Sequence, residues 1–239
     1  MPSFALLLPA ATLAASLLAG CKPSAPGSEQ APAVRTTVRT ADSTKAAVAT
    51  PDSALLARAD AGRIQGAADA PVWIVIASDF ECPYCRIWHD QSYAELLRDY
   101  VTPGKVRMAY INYPLPMHRH AVPAAEAAMC ASAQGKFWEM HSAIFGAQER
   151  WSQLPDARAT FDSLAAKVGA NMPDWRRCMT SHATLPLVEA DAERTRRAGI
   201  QSTPSFMILR GNEMVEGISG AQPTAQFRAA LDKALAGTK

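Results

Sequence analysis

Apolar and polar positions divide the chain into three stretches. Residues 4–19 carry no charge and are nearly continuous in apolar and small side chains. Residues 22–52 hold Pro, Ser, Thr, Ala and scattered charges, with no Leu, Ile, Met or aromatic residue. Beyond residue 53 the hydrophobic positions become periodic. Val72-Trp73-Ile74-Val75-Ile76-Ala77 is a continuous apolar run rich in β-branched residues, the pattern of a strand buried on both faces. The segment 86–100 sets Ile87, Leu96, Leu97 and Tyr100 near helical spacing, and Pro103-Gly104 stops it. Residues 105–112 alternate in part and predict a second strand. Strand, helix and strand in this order imply a parallel pair with a right-handed crossover.

From about residue 118 to 199 the pattern is helical, punctuated by Gly135, Gly146, Pro155, Gly169, Pro173 and Pro186. Four or five helices of about 10 to 15 residues fit there. Strand character returns at 204–210, and Gly211-Asn212 predicts a hairpin turn into 213–218. Residues 222–236 place Phe227, Leu231 and Leu235 at i, i+4 and i+8, a closing amphipathic helix.

The apolar run at 4–19 is short for a membrane span, which takes about 20 residues. It fits the core of a secretory signal. Its end, Leu18-Ala19-Gly20-Cys21, resembles the lipobox of bacterial lipoproteins. That resemblance implies cleavage after residue 20 and acylation of Cys21, each buried CH₂ adding about 0.8 kcal/mol to anchoring. No Lys or Arg precedes the apolar run, a departure from the usual signal, and an ordinary cleaved signal with an incidental Cys21 is the alternative. The polar stretch that follows cannot bury enough apolar area to offset its ordering entropy. Residues 21–52 are therefore expected to form a lipidated cysteine and a flexible tether with a span of about 30 Å. Residues 53–239 are expected to fold.

Composition narrows the function classes. The chain has 239 residues, 49% of them hydrophobic and 19% charged, which describes a folded body rather than a disordered one. A formal net charge of +2 supplies no field that would select nucleic acid. Alanine is abundant, at 47 residues, and favours helix. The cysteines number 5: Cys21, Cys82, Cys85, Cys130 and Cys178.

Cys82-Pro83-Tyr84-Cys85 stands where a strand ends and a helix begins. With Cys82 as N-cap, Pro83 takes the first helical position, where a missing N–H costs nothing. The backbone N–H groups of Tyr84 and Cys85 then face the Cys82 sulfur, and the helix dipole favours its thiolate. The thiolate is the form that attacks disulfides, so Cys82 is the expected nucleophile and Cys85 the resolving thiol. A zinc half-site would need two more ligands, and no second Cys-x-x-Cys exists to supply them.

The segment Ser78-Asp79-Phe80-Glu81-Cys82-Pro83-Tyr84-Cys85 resembles the active-site segment of DsbA-like thiol:disulfide oxidoreductases of thioredoxin fold. Asp69-Ala70-Pro71-Val72, residues 134–141 (Gln-Gly-Lys-Phe-Trp-Glu-Met-His) and Thr203-Pro204-Ser205-Phe206 extend the likeness in the same order over roughly residues 55–237. The resemblance implies an α/β thioredoxin fold with a helical insertion, about 115–199, between the second main strand and a cis-proline strand. It implies that Thr203 and Pro204 contact an extended substrate beside Pro83 and Tyr84. It also implies exported cysteine-bearing substrates, a membrane redox partner that resets the pair, a periplasmic or envelope location, and no metal or organic cofactor. The Pro83-Tyr84 dipeptide and Thr203 leave oxidant, reductant and isomerase directions open. A non-catalytic, chaperone-like binding module is the reading from another class.

Asp79 and Glu81 are candidate proton acceptors for the buried thiol, against the alternative of a local backbone hydrogen bond and a solvated side chain. His118 and His120 form a weak His-x-His metal candidate, for which helix-start or surface roles are preferred. His89 is read as packing, and Arg194, Arg196 and Arg197 as a solvated helix face. Cys130 and Cys178 are expected to pair in an oxidising compartment, with free thiols or a second redox pair as alternatives.

Overall fold

The computed structural model of the protein describes residues 52–237. The signal, Cys21 and almost all of the tether lie outside the described residues. Asp52 opens the described chain as the N-cap of α1 (Ser53–Gly62), its carboxylate accepting the N–H groups of Ala54 and Leu55 at 3.0 and 3.1 Å. A two-residue strand β1 (Ile64–Gln65) follows, then β2 (Val72–Ser78). After β2 the chain enters α2 (Pro83–Trp88), which continues through π-helical turns (His89–Tyr93), a short α3 (Ala94–Leu96) and a second π-helical segment (Leu97–Val101). β3 (Val106–Asn112) completes the crossover.

Five helices then follow, within the expected number: α4 (Ala121–Ser132), α5 (Phe137–Trp151), α6 (Arg158–Lys167), α7 (Met172–Thr180) and α8 (Leu185–Arg197). The hairpin β4 (Ser205–Arg210) and β5 (Glu213–Ser219) and the helix α9 (Thr224–Ala236) close the fold. The sheet order is β1-β3-β2-β4-β5. β2 and β3 run parallel, whereas β1–β3, β2–β4 and β4–β5 are antiparallel. At the centre Ile76 stands between Tyr110 of β3 and Phe206 of β4.

Two clusters of buried side chains hold the fold, and alternate residues of β2 enter the first of them. In that first cluster Val72, Ile74, Ile76, Trp88, Phe206, Phe227 and Leu231 pack together. Trp88 lies 4.8 Å from the Phe206 ring and Phe206 4.7 Å from Phe227. A second cluster forms where the helical insertion packs around α4, and it takes in Cys82, Cys85, Phe80 and Tyr110. Ala124, Ala125, Ala127, Ala128 and Ala131 of α4 are all buried, so α4 is the axis of the insertion rather than one of its outer helices. Small side chains let α1, α5, α6, α7 and α8 close on it, and much of the alanine content finds its use there. The first helix and β1 have no counterpart in the sequence-based expectation. α1 is alanine-rich with only one buried residue, Ala59, and β1 is two residues long, so neither produces a strong periodic signal.

Two links hold the insertion to the sheet and to itself. Asp191 of α8, fully buried, pairs with Arg63 and accepts from Asn112 N and Nδ2 at 3.1 and 3.0 Å, joining α8, the end of α1 and the end of β3. Cys130 of α4 and Cys178 of α7 form a disulfide with their Cα atoms 5.8 Å apart.

Candidate active site

The turn between β2 and α2 is built from short-range effects. Pro83 occupies the first turn of α2 and Cys82 is its N-cap, with extended backbone (φ −68°, ψ 122°). Cys85 N and Arg86 N both reach the Cys82 carbonyl, at 3.1 and 3.3 Å. Cys82 and Cys85 are free thiols in this structure, Cys82 exposed by 4% and Cys85 by 0%.

The two thiols stand in different environments. The Cys82 thiol is held down to about 6, chiefly by a hydrogen bond from the Cys85 thiol. Thr203 and the backbone N–H groups of Cys85 and Tyr84 act in the same direction, and burial opposes them. Burial pushes Cys85 well above the ordinary thiol value, and its neighbour Cys82 adds to the rise. Cys82 is thus the thiol that ionises near neutral pH, and Cys85 is the one that keeps its proton.

The Thr203–Pro204 peptide bond is cis and precedes β4. As a thiol, Cys82 donates from Sγ to the Thr203 carbonyl oxygen at 3.5 Å, so residues 121 positions apart in sequence meet at this point. Between the cysteines Tyr84 is 62% exposed, while Thr203 is buried. An apolar side chain therefore stands in solvent within the dipeptide itself.

Asp79 and Glu81 are separated in role by their partners. The Asp79 side chain is fully buried and accepts three hydrogen bonds: from Glu81 N at 2.8 Å, Leu115 N at 2.8 Å and His118 Nδ1 at 2.7 Å. Its backbone N–H lies 3.5 Å from Cys85 Sγ. Glu81 is half-buried and accepts the His120 N–H at 2.5 Å. Both carboxylates thus tie the turn before Cys82 to the loop between β3 and α4. His118 belongs to this site rather than to the surface role preferred from sequence, and Asp79, through its hydrogen bond, raises the His118 pKa. His120 donates its backbone N–H to Glu81, and its ring Nε2 lies 2.8 Å from the Leu154 carbonyl oxygen, which suits the helix-start reading. No group of three or more His, Cys, Asp or Glu side chains is arranged to hold a metal ion among the described residues.

Three contributors had no place in the sequence reading. Gln148 of α5 donates from Nε2 to the carbonyl oxygens of Phe80 and Cys82, at 2.7 and 2.9 Å, and so clamps the active-site turn from the insertion. Tyr110 stacks on Phe80 at 5.0 Å beneath the turn. His141, in the segment that carried the family resemblance, is fully buried against Phe80, Tyr110 and Phe145, and burial keeps its ring neutral. A lone glutamine in a helix has no motif around it, so no local pattern marks Gln148. His89 stacks on Tyr93 and Phe145, a packing role. Arg194, Arg196 and Arg197 are exposed, and each makes an ion pair with Asp191 or Glu193.

The sequence profile of the family described as thioredoxin matches residues 58–233. The chain belongs to the thioredoxin family. Curated relatives of this thioredoxin-family chain include the probable disulfide bond formation protein D of Bacillus anthracis, 27% identical over 149 residues, covering 60% of this chain and 67% of that protein. The Na(+)/H(+) antiporter NhaA 3 of Salinispora tropica is 29% identical over 177 residues, 72% of this chain and 26% of that protein. The chain thus spans about a quarter of the length of the antiporter relatives it matches. Among solved structures, alpha-DsbA1 of Wolbachia pipientis superposes with a TM-score of 0.66 at 18% identity, over 73% of this chain and 91% of that one. Oxidised BdbD of Bacillus subtilis gives 0.65 at 20% identity, over 74% and 95%. The thioredoxin fold with a helical insertion, expected from the motif order, is the fold these structures share with the chain.

Proposed function

We propose that this protein is a thiol:disulfide oxidoreductase that works as an oxidant on cysteines of other exported proteins. The observation that carries this reading is the contrast between Cys82, held near 6, and Cys85, buried and held high, at the start of one helix. In the oxidised protein a substrate thiolate attacks Cys82 Sγ of the Cys82–Cys85 disulfide. A mixed disulfide forms with Cys82, and Cys85 leaves as a thiolate that takes up a proton. A second substrate thiolate then attacks the substrate sulfur of the mixed disulfide. Cys82 is released as the stabilised thiolate, the substrate gains one disulfide, and its two electrons remain on the reduced pair. A low Cys82 pKa favours this direction because it stabilises the product form of the enzyme.

The neighbourhood suits an extended, weakly specified substrate. The Thr203 carbonyl offers a backbone acceptor beside Cys82, and Thr203, Pro204, Pro83 and Tyr84 make up its surroundings in our reading. A redox partner, which we place in the membrane, must draw the two electrons away before the next cycle. The lipobox-like Leu18-Ala19-Gly20-Cys21 supports export to the periplasm or cell envelope and a lipid anchor on Cys21, with 22–52 as the spacer. The disulfide bond formation proteins among the relatives support the chemistry.

The variant Cys85→Ser tests the assignment. It cannot form the Cys82–Cys85 disulfide, but its Cys82 thiolate can still attack a substrate disulfide, releasing one substrate thiolate. No second enzyme thiol remains to displace the bound sulfur. Mixed disulfides on Cys82 are expected to accumulate, visible by non-reducing electrophoresis and lost in Cys82→Ser. If Cys82→Ser retained full function in its host, the protein would be a binding module rather than an oxidoreductase.

A further inference from the structure

The exchange chemistry uses two thiols and leaves one polar pair unassigned. The His118 side chain is 19% exposed and pairs through Nδ1 with the fully buried Asp79 carboxylate at 2.7 Å. Asp79 also accepts the Glu81 and Leu115 N–H groups, so its carboxylate serves as an acceptor to each neighbour and His118 Nδ1 is the donor of their shared hydrogen bond. His118, Glu81, Pro83 and Arg86 line one groove, which places the ring beside the start of α2, where Cys82 stands. The Arg86 guanidinium across that groove is bound to Glu149 at 2.7 Å and reaches Asp90 at 3.5 Å, so acidic partners already offset its charge.

We propose that His118, oriented by Asp79, is a positioning cation for the exchange reaction, stabilising the Cys82 thiolate from the groove that Glu81 and Pro83 line. Asp79 acts through His118: it fixes the ring and holds its proton, and the ring carries the compensating positive charge into the groove beside Glu81 and Pro83, the two neighbours of Cys82. The groups facing His118 are Asp79 after β2, Glu81 and Cys82 at the turn, and Arg86 and Glu149 on α2 and α5. Asp79 dominates the rise in the His118 pKa, burial opposes it, and Cys82 and Glu81 add to it. With Cys82 ionising at about 6 and His118 moved up from 6.5, thiolate and imidazolium coexist above about pH 6 until His118 deprotonates. Sequence alone cannot disclose the pair, because Asp79 and His118 lie 39 positions apart.

The inference rests on Cys82 being the reactive thiol, and it is tested by protonation alone. Coupling between two sites is reciprocal: if the imidazolium favours the thiolate, the thiolate favours the imidazolium by the same factor. In the wild-type protein the His118 ring, followed by NMR, is expected to bind its proton about tenfold more tightly in the reduced than in the oxidised form, the lower end of the scale for a nearby opposite charge. In reduced His118→Gln the acid dissociation constant of Cys82, read from thiolate absorbance, should fall by the same factor. Equal His118 midpoints in the two redox states of the wild type would overturn the proposal, whatever the variant does. If the midpoints differ but the protein transfers no disulfides to substrates, the coupling stands and the proposed function fails.

Discussion

Gln148 shows how much of the site depends on single side chains remote from it in sequence. Its amide satisfies two buried carbonyls of the turn that carries Cys82. Gln148→Ala leaves both acceptors without that donor, and a buried polar group left unsatisfied costs about 1–3 kcal/mol. Urea denaturation should show a loss of that order, with the midpoint moving and the slope unchanged. An unchanged midpoint would mean that water replaces the amide at no cost. Gly62 gives a second residue-scale expectation. A Cβ there would meet the Ser132 carbonyl oxygen at 2.6 Å, and Ser132 Oγ donates to the Ala59 carbonyl at 2.6 Å, so this contact between α1 and α4 cannot open freely. Gly62→Ala should therefore destabilise by about 1–3 kcal/mol, the usual cost of overpacking, measurable by the same denaturation.

At the scale of elements, the insertion is fastened by groups that locally read as ordinary. Asp191 sits mid-helix in α8 with full burial, and its partners come from the end of α1 and from β3. Asp191→Ala would leave buried Arg63 with only the half-exposed Asp60 as partner and take the shared acceptor from Asn112, and breaking a buried pair costs up to about 3–5 kcal/mol. The Cys130–Cys178 bridge closes a loop across a separation of 48 residues. In the chain-entropy model that is worth about 4 kcal/mol. Cys130→Ser/Cys178→Ser should lose most of that in oxidised protein, and full retention of stability would contradict a structural role. The sequence was legible where period and punctuation agree: β2, β3, the β4–β5 hairpin and α9 follow their patterns within a few residues. Helical spacing also marked 86–100, but not its two π-helical segments, for which the residue spacing carries no signal. The Asp191–Arg63 and Asp79–His118 pairs, separated by 128 and 39 positions, became visible only in three dimensions.

At the scale of the whole molecule, the redox pair and the fold share one free energy. The Cys82 pKa is lowered from 9.0 to about 6, so its thiolate stabilises the folded, reduced protein. For a depressed acid that contribution is complete above the unfolded value, near 9, and is lost as pH falls through about 6. The stability of the reduced form relative to the oxidised form should therefore decline on acidification through pH 6, as seen in paired denaturation curves. Cys85, whose pKa is raised, works in the opposite sense only at alkaline pH. The sequence also joins a lipobox-like segment to a thioredoxin-family domain. Among the described residues no helix is long and apolar enough to cross a membrane.

The account turns on the direction in which the Cys82–Cys85 pair prefers to send electrons. Equilibration of the pair with glutathione at neutral pH, read as the fraction oxidised, measures this directly. A stabilised Cys82 thiolate predicts a strongly oxidising pair, with a potential near the ~−120 mV end of the range for this chemistry. A value close to about −270 mV, the poise of a reductant such as thioredoxin, would contradict it.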